Sequence, residues 1–434
     1  MRILFFVPYV PGVVSTRPRE LLRGLVRRGH EVTLATLWST PEEREQLERW
    51  RTSDLRVVSR HLHPAKSLAN AVAAACLTSR PMQADYCWHA GMFRLLCDEL
   101  SETAYDIVHV THLRGARYLE RVSRLESSAF ARPSARPAMI WDAIDSVGYL
   151  LDQARRQSAV LRWRLAGHIE HRRTRRYECS LPPLFDAVLV SSARDRDEIG
   201  GQRQCAPTSG RVRILPNGVD TSTFVPSNGN QAGSRAGPPI VTLSGALDYH
   251  PNVTAAIRLA ERIMPLVWID RPEIRLRIVG AAPGRRLLGM DASANGRVEV
   301  LGDVVDIAEQ LRIASAVAAP LSYGAGTQFK ILEALSCGAP TVTSTQVARR
   351  LGATPGRHLL AEDDDHDIVR SIIRLTDDTD YGRRLGQAGR AFVEQNFGWE
   401  SIVGRLEDIY VESVDALRVG VAEPSRSFAS VGVG

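Results

Sequence analysis

Short apolar runs alternate along this chain with longer segments whose apolar residues recur every three to four positions. Residues 2–9, RILFFVPY, form the first run, and 17–29, RPRELLRGLVRRG, carry an apolar face of helical period closed by Gly29. Residues 30–37, 105–112, 138–145 and 185–192 read as further strands, with helical stretches at 68–79, 89–101 and 150–180. Such alternation predicts an α/β fold with a parallel sheet covered on both faces. Segment 225–239, VPSNGNQAGSRAGPP, interrupts the pattern and reads as a linker. The alternation then restarts with strands at 239–247, 275–282, 298–304, 315–322 and 340–345. Between them lie helices from Asn252 to about Pro265, at 305–315 and at 327–337. Helices at 379–395 and 399–417 follow, and the polar tail 423–434 is predicted to be disordered. Two such units in series predict two doubly wound, Rossmann-like domains, 1–224 and 240–395, facing a cleft. Ligands of such sheets bind beyond the carboxyl ends of the strands.

Length and composition fit this picture. A chain of 434 residues exceeds one ordinary core, and 44% hydrophobic with 24% charged residues is a globular balance. No apolar run approaches the roughly 18 residues of a membrane span, and MRILFFVPY reads as a buried strand rather than a signal peptide. The six cysteines form no CxxC pair, which speaks against a zinc site or a disulfide framework and fits a reducing cytoplasm. The net charge is +6, and Lys66 and Lys330 are the only lysines among 55 basic residues. A positive balance suits anionic ligands. The charge is spread too widely for nucleic acid, and no strand is followed by G-x-G-x-x-G, which excludes an ordinary dinucleotide fingerprint. The basic stretch 162–178 fits either a solvated helix or a contact with an anionic membrane surface.

The densest candidate chemistry lies at 317–345. There an apolar strand passes through Gly324, Ala325 and Gly326 into a helix expected to begin near Thr327. A helix N-terminus attracts phosphate, and glycines let backbone approach an anion closely. Lys330 would add an ammonium to a diphosphate, and Glu333, on the same helical face, would accept hydrogen bonds from sugar hydroxyls. The same residues fit a capped ordinary helix with Lys330 and Glu333 as a solvated ion pair. In the first half, His112, Asp142 and Asp145 end strands on the ligand-binding side, and Arg17 begins a helix from which it would reach the cleft. An Asp145-Ser146 helix cap is the alternative for that pair.

The stretch GAGTQFKILEALSCGAPTVTS resembles the sugar-nucleotide segment of retaining GT-B glycosyltransferases of family 4. VRILPNGVDTSTF (212–224), LSGALDYHPN (243–252), LRIVGAAP (276–283), VEVLGDVVDI (298–307) and AVAAPL (316–321) follow in family order, over roughly residues 2–410. The resemblance implies the GT-B fold, with a C-terminal segment at 396–420 that crosses back to the first domain near Trp399. It implies transfer of a sugar from a nucleoside-diphosphate sugar to a glycan, lipid-linked or small-molecule acceptor with retention, without a metal or other cofactor. It implies a bacterial, cytoplasmic enzyme of polysaccharide biosynthesis. Gly12, Gly245, Gly280, Gly302, Gly324, Gly326, Thr327, Lys330 and Glu333 become donor-binding positions, Arg17 and Asp142 acceptor-side positions, and Lys330, Asp142 and His112 the catalytic set. This chain departs from the pattern. Ala325 stands where many members carry the first Glu of a pair, Ala246 follows Gly245 where Arg is usual, the Lys position falls near Asn252, and Asp142 replaces a His. Lys330 is then the residue expected to replace the missing cations. A catalytically silent GT-B scaffold or a sugar-nucleotide epimerase is the alternative.

Overall fold

The computed structural model describes residues 1–12, 15–51, 55–125, 130–131, 136–200, 210–226, 237–293, 296–302, 304, 306–324 and 328–422. Seven parallel strands form the first sheet: β1 Arg2–Val7, β2 Glu31–Trp38, β3 Leu55–His61, β4 Ile107–Thr111, β5 Ala138–Ile144, β6 Ala187–Val190 and β7 Val212–Ile214, in the order β3-β2-β1-β4-β5-β6-β7. The second sheet holds β8 Ile240–Ser244, β9 Arg275–Val279, β10 Val298–Leu301, β11 Ala316–Ala319, β12 Thr341–Thr343 and β13 Leu360–Ala361, in the order β10-β9-β8-β11-β12-β13. Both are parallel throughout. Their central strands are almost wholly buried because helices cover both faces, which is why they read as unbroken apolar runs.

Each sheet has one point where the strand order reverses, between β1 and β4 in the first and between β8 and β11 in the second. At such a point the connections leave in opposite directions and open a crevice at the carboxyl edge. Two apolar clusters fill the faces of the first sheet, and a larger one surrounds the second. The chain returns late. Phe397 packs in the second domain, whereas Trp399, Ile402, Val403, Leu406 and Tyr410, on the Trp399–Ala422 helix, pack in the core of the first.

Three local features differ from the sequence expectation. The stretch 150–180 is a hairpin of two helices, Val147–Gln157 and Leu161–Ser180. The helix at Asn252–Pro265 does not stop at Pro265. A π turn over Leu259–Ile263 links His250–Arg258 to Met264–Asp270, and Pro265 occupies the first turn of the latter, where its missing N–H costs nothing. Cys179 is disulfide-bonded, a bond that the expectation against a disulfide framework and for a reducing cytoplasm did not foresee. The expected tail 423–434 and most of the expected linker, 227–236, lie outside the described residues.

Candidate functional site

The carboxyl edges of the two sheets meet across a cleft, and the two switch points carry most of the residues singled out from the sequence. Gly12 follows β1 and His112 follows β4; Gly245 follows β8 and Gly324 lies beyond β11. Gly280 and Gly302 follow β9 and β10, so four glycines line the edge of the second sheet. At Gly280 (φ +158°) a Cβ would stand 1.8 Å from the Gly245 carbonyl oxygen, and at Gly245 (φ +135°) it would stand 3.0 Å from Lys330 Cε. Gly326 and Thr327, like Ala325, lie outside the described residues.

Lys330 is buried, not a solvated partner of Glu333. It sits in the first turn of the Phe329–Ser336 helix, and its Nζ donates to Gln328 Oε1 at 2.9 Å. The side chain passes beside Gly245, against which the Asn252 amide also lies; Ala246, the next residue, and Asn252 are the positions where the sequence reading found the expected cations missing. Burial pulls its pKa down to about 8 against the opposing charge of Glu333. Glu333 is half-buried, and burial pushes its carboxyl up to about 7 while Lys330 pulls the other way.

Sequence reasoning missed Arg350. From the Thr345–Leu351 helix its Nη1 donates to the Gly324 carbonyl at 2.6 Å, and its Nε and Nη2 are buried with no hydrogen-bond partner. Ser244 Oγ, at the end of β8, Asn252 Oδ1 and Ser344 Oγ, just beyond β12, are likewise buried without partners. Unpaired polar atoms are scarce in folded interiors, so five of them along one sheet edge mark a place prepared for a polar ligand. Nothing in the local sequence distinguishes Arg350 from the other arginines of an Arg-rich chain.

The first domain supplies the opposite wall. His112 holds a left-handed backbone (φ +63°), and Ile144, at the end of β5, does so as well (φ +67°). This conformation is uncommon outside glycine and is costly above all for the β-branched Ile144; such residues tend to cluster at functional sites. His112 Nδ1 accepts from the Arg114 N–H at 3.3 Å, and burial, with Arg114 nearby, lowers its pKa to about 3, so the ring is neutral at ordinary pH. Asp145 accepts from Ser191 Oγ at 2.8 Å. Burial and the neighbouring charge of Asp195 push its pKa up to about 7, with Arg17 and Arg350 acting against the rise. The Val147–Gln157 helix is capped by Ser146, whose Oγ accepts from Tyr149 N, and not by Asp145. Gly12 N donates to Ser15 Oγ at 2.7 Å, which pins the loop after β1.

Arg17 and Asp142 are corrections to the sequence reading. They form a bidentate pair at 2.8 and 2.9 Å, both fully enclosed. The Arg17 Nη1 also donates to Leu215 O, Pro216 O and Asn217 Oδ1. Neither side chain reaches the cleft: the pair ties the first helix and β5 to the segment leading into the second domain. Burial would raise the Asp142 pKa, but Arg17 and His109 overcome it and hold it down at about 2. A pair spanning 125 residues of sequence leaves no local signal.

Contacts across the cleft come from the 147–180 hairpin. The Gly324 N–H donates to Gln153 Oε1 at 3.3 Å, Ala159 N to Thr254 Oγ1 at 3.2 Å, and the Trp163 ring lies 4.7 Å from that of His250. Gln153 thus covers one donor of the Gly324 turn. Beside the hairpin tip opens a hollow of about 610 Å³ lined by Gln157, Thr254, Arg258, Ser344 and Gln346. Among the described residues no group of three or more His, Cys, Asp or Glu is placed to hold a metal ion.

Two facing doubly wound domains joined by a returning C-terminal helix are the GT-B fold. Among solved structures, sucrose-phosphate synthase from Thermosynechococcus elongatus superposes with a TM-score of 0.70 at 18% identity, covering 96% of this chain and all of that one. Anabaena Alr3699/HepE, solved with UDP and glucose, gives 0.65 at 15% identity, covering 95% of this chain and all of that one. Residues 238–378 match the family model described as glycosyl transferases group 1. A GDP-mannose-dependent monoacylated alpha-(1-6)-phosphatidylinositol monomannoside mannosyltransferase of Corynebacterium glutamicum is 31% identical over 217 residues, 45% of this chain and 55% of that protein. A D-inositol 3-phosphate glycosyltransferase of Salinispora arenicola is 27% identical over 262 residues, 53% of this chain and 56% of its own length. The alignments thus span about half the length of these curated relatives.

Proposed function

We propose that this protein transfers a glycosyl group from a nucleoside-diphosphate sugar, held on the second domain, to a hydroxyl of an acceptor entering from the first. The observation that carries the reading is the convergence of the buried Lys330 and the half-buried Arg350, two of whose guanidinium nitrogens are enclosed, with unpartnered polar atoms on the glycine-lined edge of the second sheet. The bond from the anomeric carbon to the diphosphate breaks, and its electrons leave with the β-phosphate. Charge developing there is met by groups already in place, which is the form of stabilisation that enzymes use most effectively. The acceptor oxygen bonds the anomeric carbon on the face the diphosphate leaves, which retains configuration, and the acceptor proton departs with the diphosphate. The carboxyl of Glu333, one helical turn behind Lys330, is the hydrogen-bond acceptor for donor hydroxyls. Lys330 and Arg350 together neutralise the diphosphate, so transfer is expected to survive chelation by EDTA.

The relatives' names include GDP-mannose and inositol acceptors, and one solved neighbour contains UDP, so trials begin with those compounds. The test is a thermal-shift and calorimetric comparison of UDP, GDP, ADP and TDP, followed by transfer assays with the matching sugar donors. One diphosphate at about a hundred times its Kd is expected to stabilise by roughly 2.7 kcal/mol. Lys330→Ala is expected to abolish that shift while leaving the apo melting temperature near wild type. Failure of all four diphosphates to bind at millimolar concentration would overturn the reading. Binding without transfer or donor conversion would favour a silent scaffold.

A further inference from the structure

The first domain exposes apolar side chains where none is needed for its core. Of eleven exposed large hydrophobic residues among the described residues, six lie on two helices: Leu68, Val72 and Leu77 on Pro64–Leu77, and Leu161, Leu165 and Ile169 on Leu161–Ser180. The second trio recurs at intervals of four residues, so it forms one stripe along the helix. One turn beyond Ile169 on that stripe stands Arg173, whose guanidinium donates to Ala74 O and Ala75 O at 2.9 and 3.2 Å and also to Thr78 O. It thereby joins the stripe to the last turn of the other helix, beside Leu77. On the Pro64–Leu77 helix, Ala65, Ala69, Ala73 and Cys76 extend the exposed apolar face.

The charge at this surface has one sign. The Leu161–Ser180 helix exposes Arg162, Arg164, Arg172 and Arg176, and the other helix exposes Lys66. Neither helix exposes an acid. Glu170 and Glu178 are buried and occupied with Met82 N–H, Ser146, Val147 N–H and Gly148 N–H. Apolar stripes on two helices linked through Arg173, with exposed cations and no exposed acid on either helix, are what an anionic bilayer surface accepts: the apolar groups enter the interface and the basic ones meet lipid phosphates. A second copy of the same face would bring cations against cations. We propose that the helices Pro64–Leu77 and Leu161–Ser180 form a docking surface for an anionic lipid bilayer. Trp163, on the second helix, reaches across to His250 in the cleft wall, so docking sets the cleft mouth beside the membrane.

The test is co-sedimentation of the full chain with vesicles of phosphatidylcholine alone and with 30 mol% phosphatidylglycerol (about one lipid in three, chosen to supply the anionic surface potential). Binding is expected only with the anionic vesicles and is expected to weaken in high salt. Arg164→Gln and Arg172→Gln are each expected to weaken it about fivefold, and Leu68→Glu with Leu165→Glu to remove it, with diphosphate binding unchanged. The wild-type measurement needs no variant to fold and no transfer activity, so its failure is separate from failure of the transferase reading. Absence of binding to anionic vesicles would overturn the proposal. So would equal binding to both compositions, or a solution dimer that the Leu68→Glu and Leu165→Glu changes convert to monomer.

Discussion

Lys330 and Arg350 approach the Gly324 turn from different helices, and in the phosphate-binding role proposed for them each has a different weakness. The ammonium of Lys330 is buried and titrates near pH 8, so the unliganded site loses that charge as pH rises through 8. A bound diphosphate favours the charged form and raises the pKa again. Diphosphate affinity is therefore expected to fall above pH 8, with proton uptake on binding that shows as a buffer-dependent calorimetric enthalpy. Arg350 has two nitrogens without partners. Arg350→Gln removes two unsatisfied nitrogens together with the hydrogen bond to the Gly324 carbonyl, so it is expected to change stability by no more than about 1 kcal/mol while costing about 1.5–3 kcal/mol of diphosphate binding. Asp142 behaves oppositely. Its pKa is held at about 2, below the ordinary value of 3.8, so its contribution is complete above pH 4 and is lost as pH falls toward 2. That drop is about 2 kcal/mol, readable in urea titrations at pH 5 and pH 2.5. Asp142→Ala strands a buried guanidinium and is expected to cost about 3–5 kcal/mol at neutral pH. Lys330 was legible in the sequence because a lone lysine stood behind a glycine-rich turn. Arg350 and the Arg17–Asp142 pair were not, because their meaning comes from partners far along the chain.

At the scale of elements, apolar runs located the central strands of both sheets because burial on two faces demands them. The edge strand β3, LRVVSRH, escaped notice, since its outer positions are exposed and polar. The helix through Pro265 was cut short in the sequence reading because proline removes a donor, whereas a π turn supplies the register change that lets the helix continue. Tight helix contacts are equally hidden in sequence. Gly24, on the Thr16–Arg27 helix, faces Val403 on the returning Trp399–Ala422 helix, and a Cβ there would lie 2.3 Å from Val403 Cγ2. Valine is stiff at χ1 and has no rotamer that vacates the space cheaply. Gly24→Ala is expected to destabilise by about 1–3 kcal/mol through overpacking. Val403→Ala in the same chain is expected to recover most of that loss, and thermal melts of the two single variants and the double variant measure the coupling.

For the molecule as a whole, function depends on how firmly the two edges are held together. Among the described residues the hairpin contacts are few, and the hydrogen bonds are long: Gln153 to Gly324 at 3.3 Å, Ala159 to Thr254 at 3.2 Å and Tyr149 to Gln346 at 3.4 Å. The Trp163 ring lies tilted against that of His250, with centroids 4.7 Å apart, and the Trp163 indole N–H is buried without an acceptor. Small, polar interfaces of this kind allow domains to move. On the proposed function, opening would free the Gly324 N–H that Gln153 now occupies, and closing would exclude water from the reacting sugar. If donor binding belongs to the second domain and transfer needs both, weakening closure must separate the two quantities. Trp163→Ala is therefore expected to enlarge the radius of gyration in small-angle scattering and to lower the turnover number by tenfold or more, since loss of about 1.4 kcal/mol of closure energy suffices for a factor of ten. The calorimetric Kd for the diphosphate is expected to stay within twofold of wild type (about 0.4 kcal/mol). A parallel loss of diphosphate affinity and turnover would place part of the donor site on the first domain, and the division of labour between the two sheets would have to be redrawn.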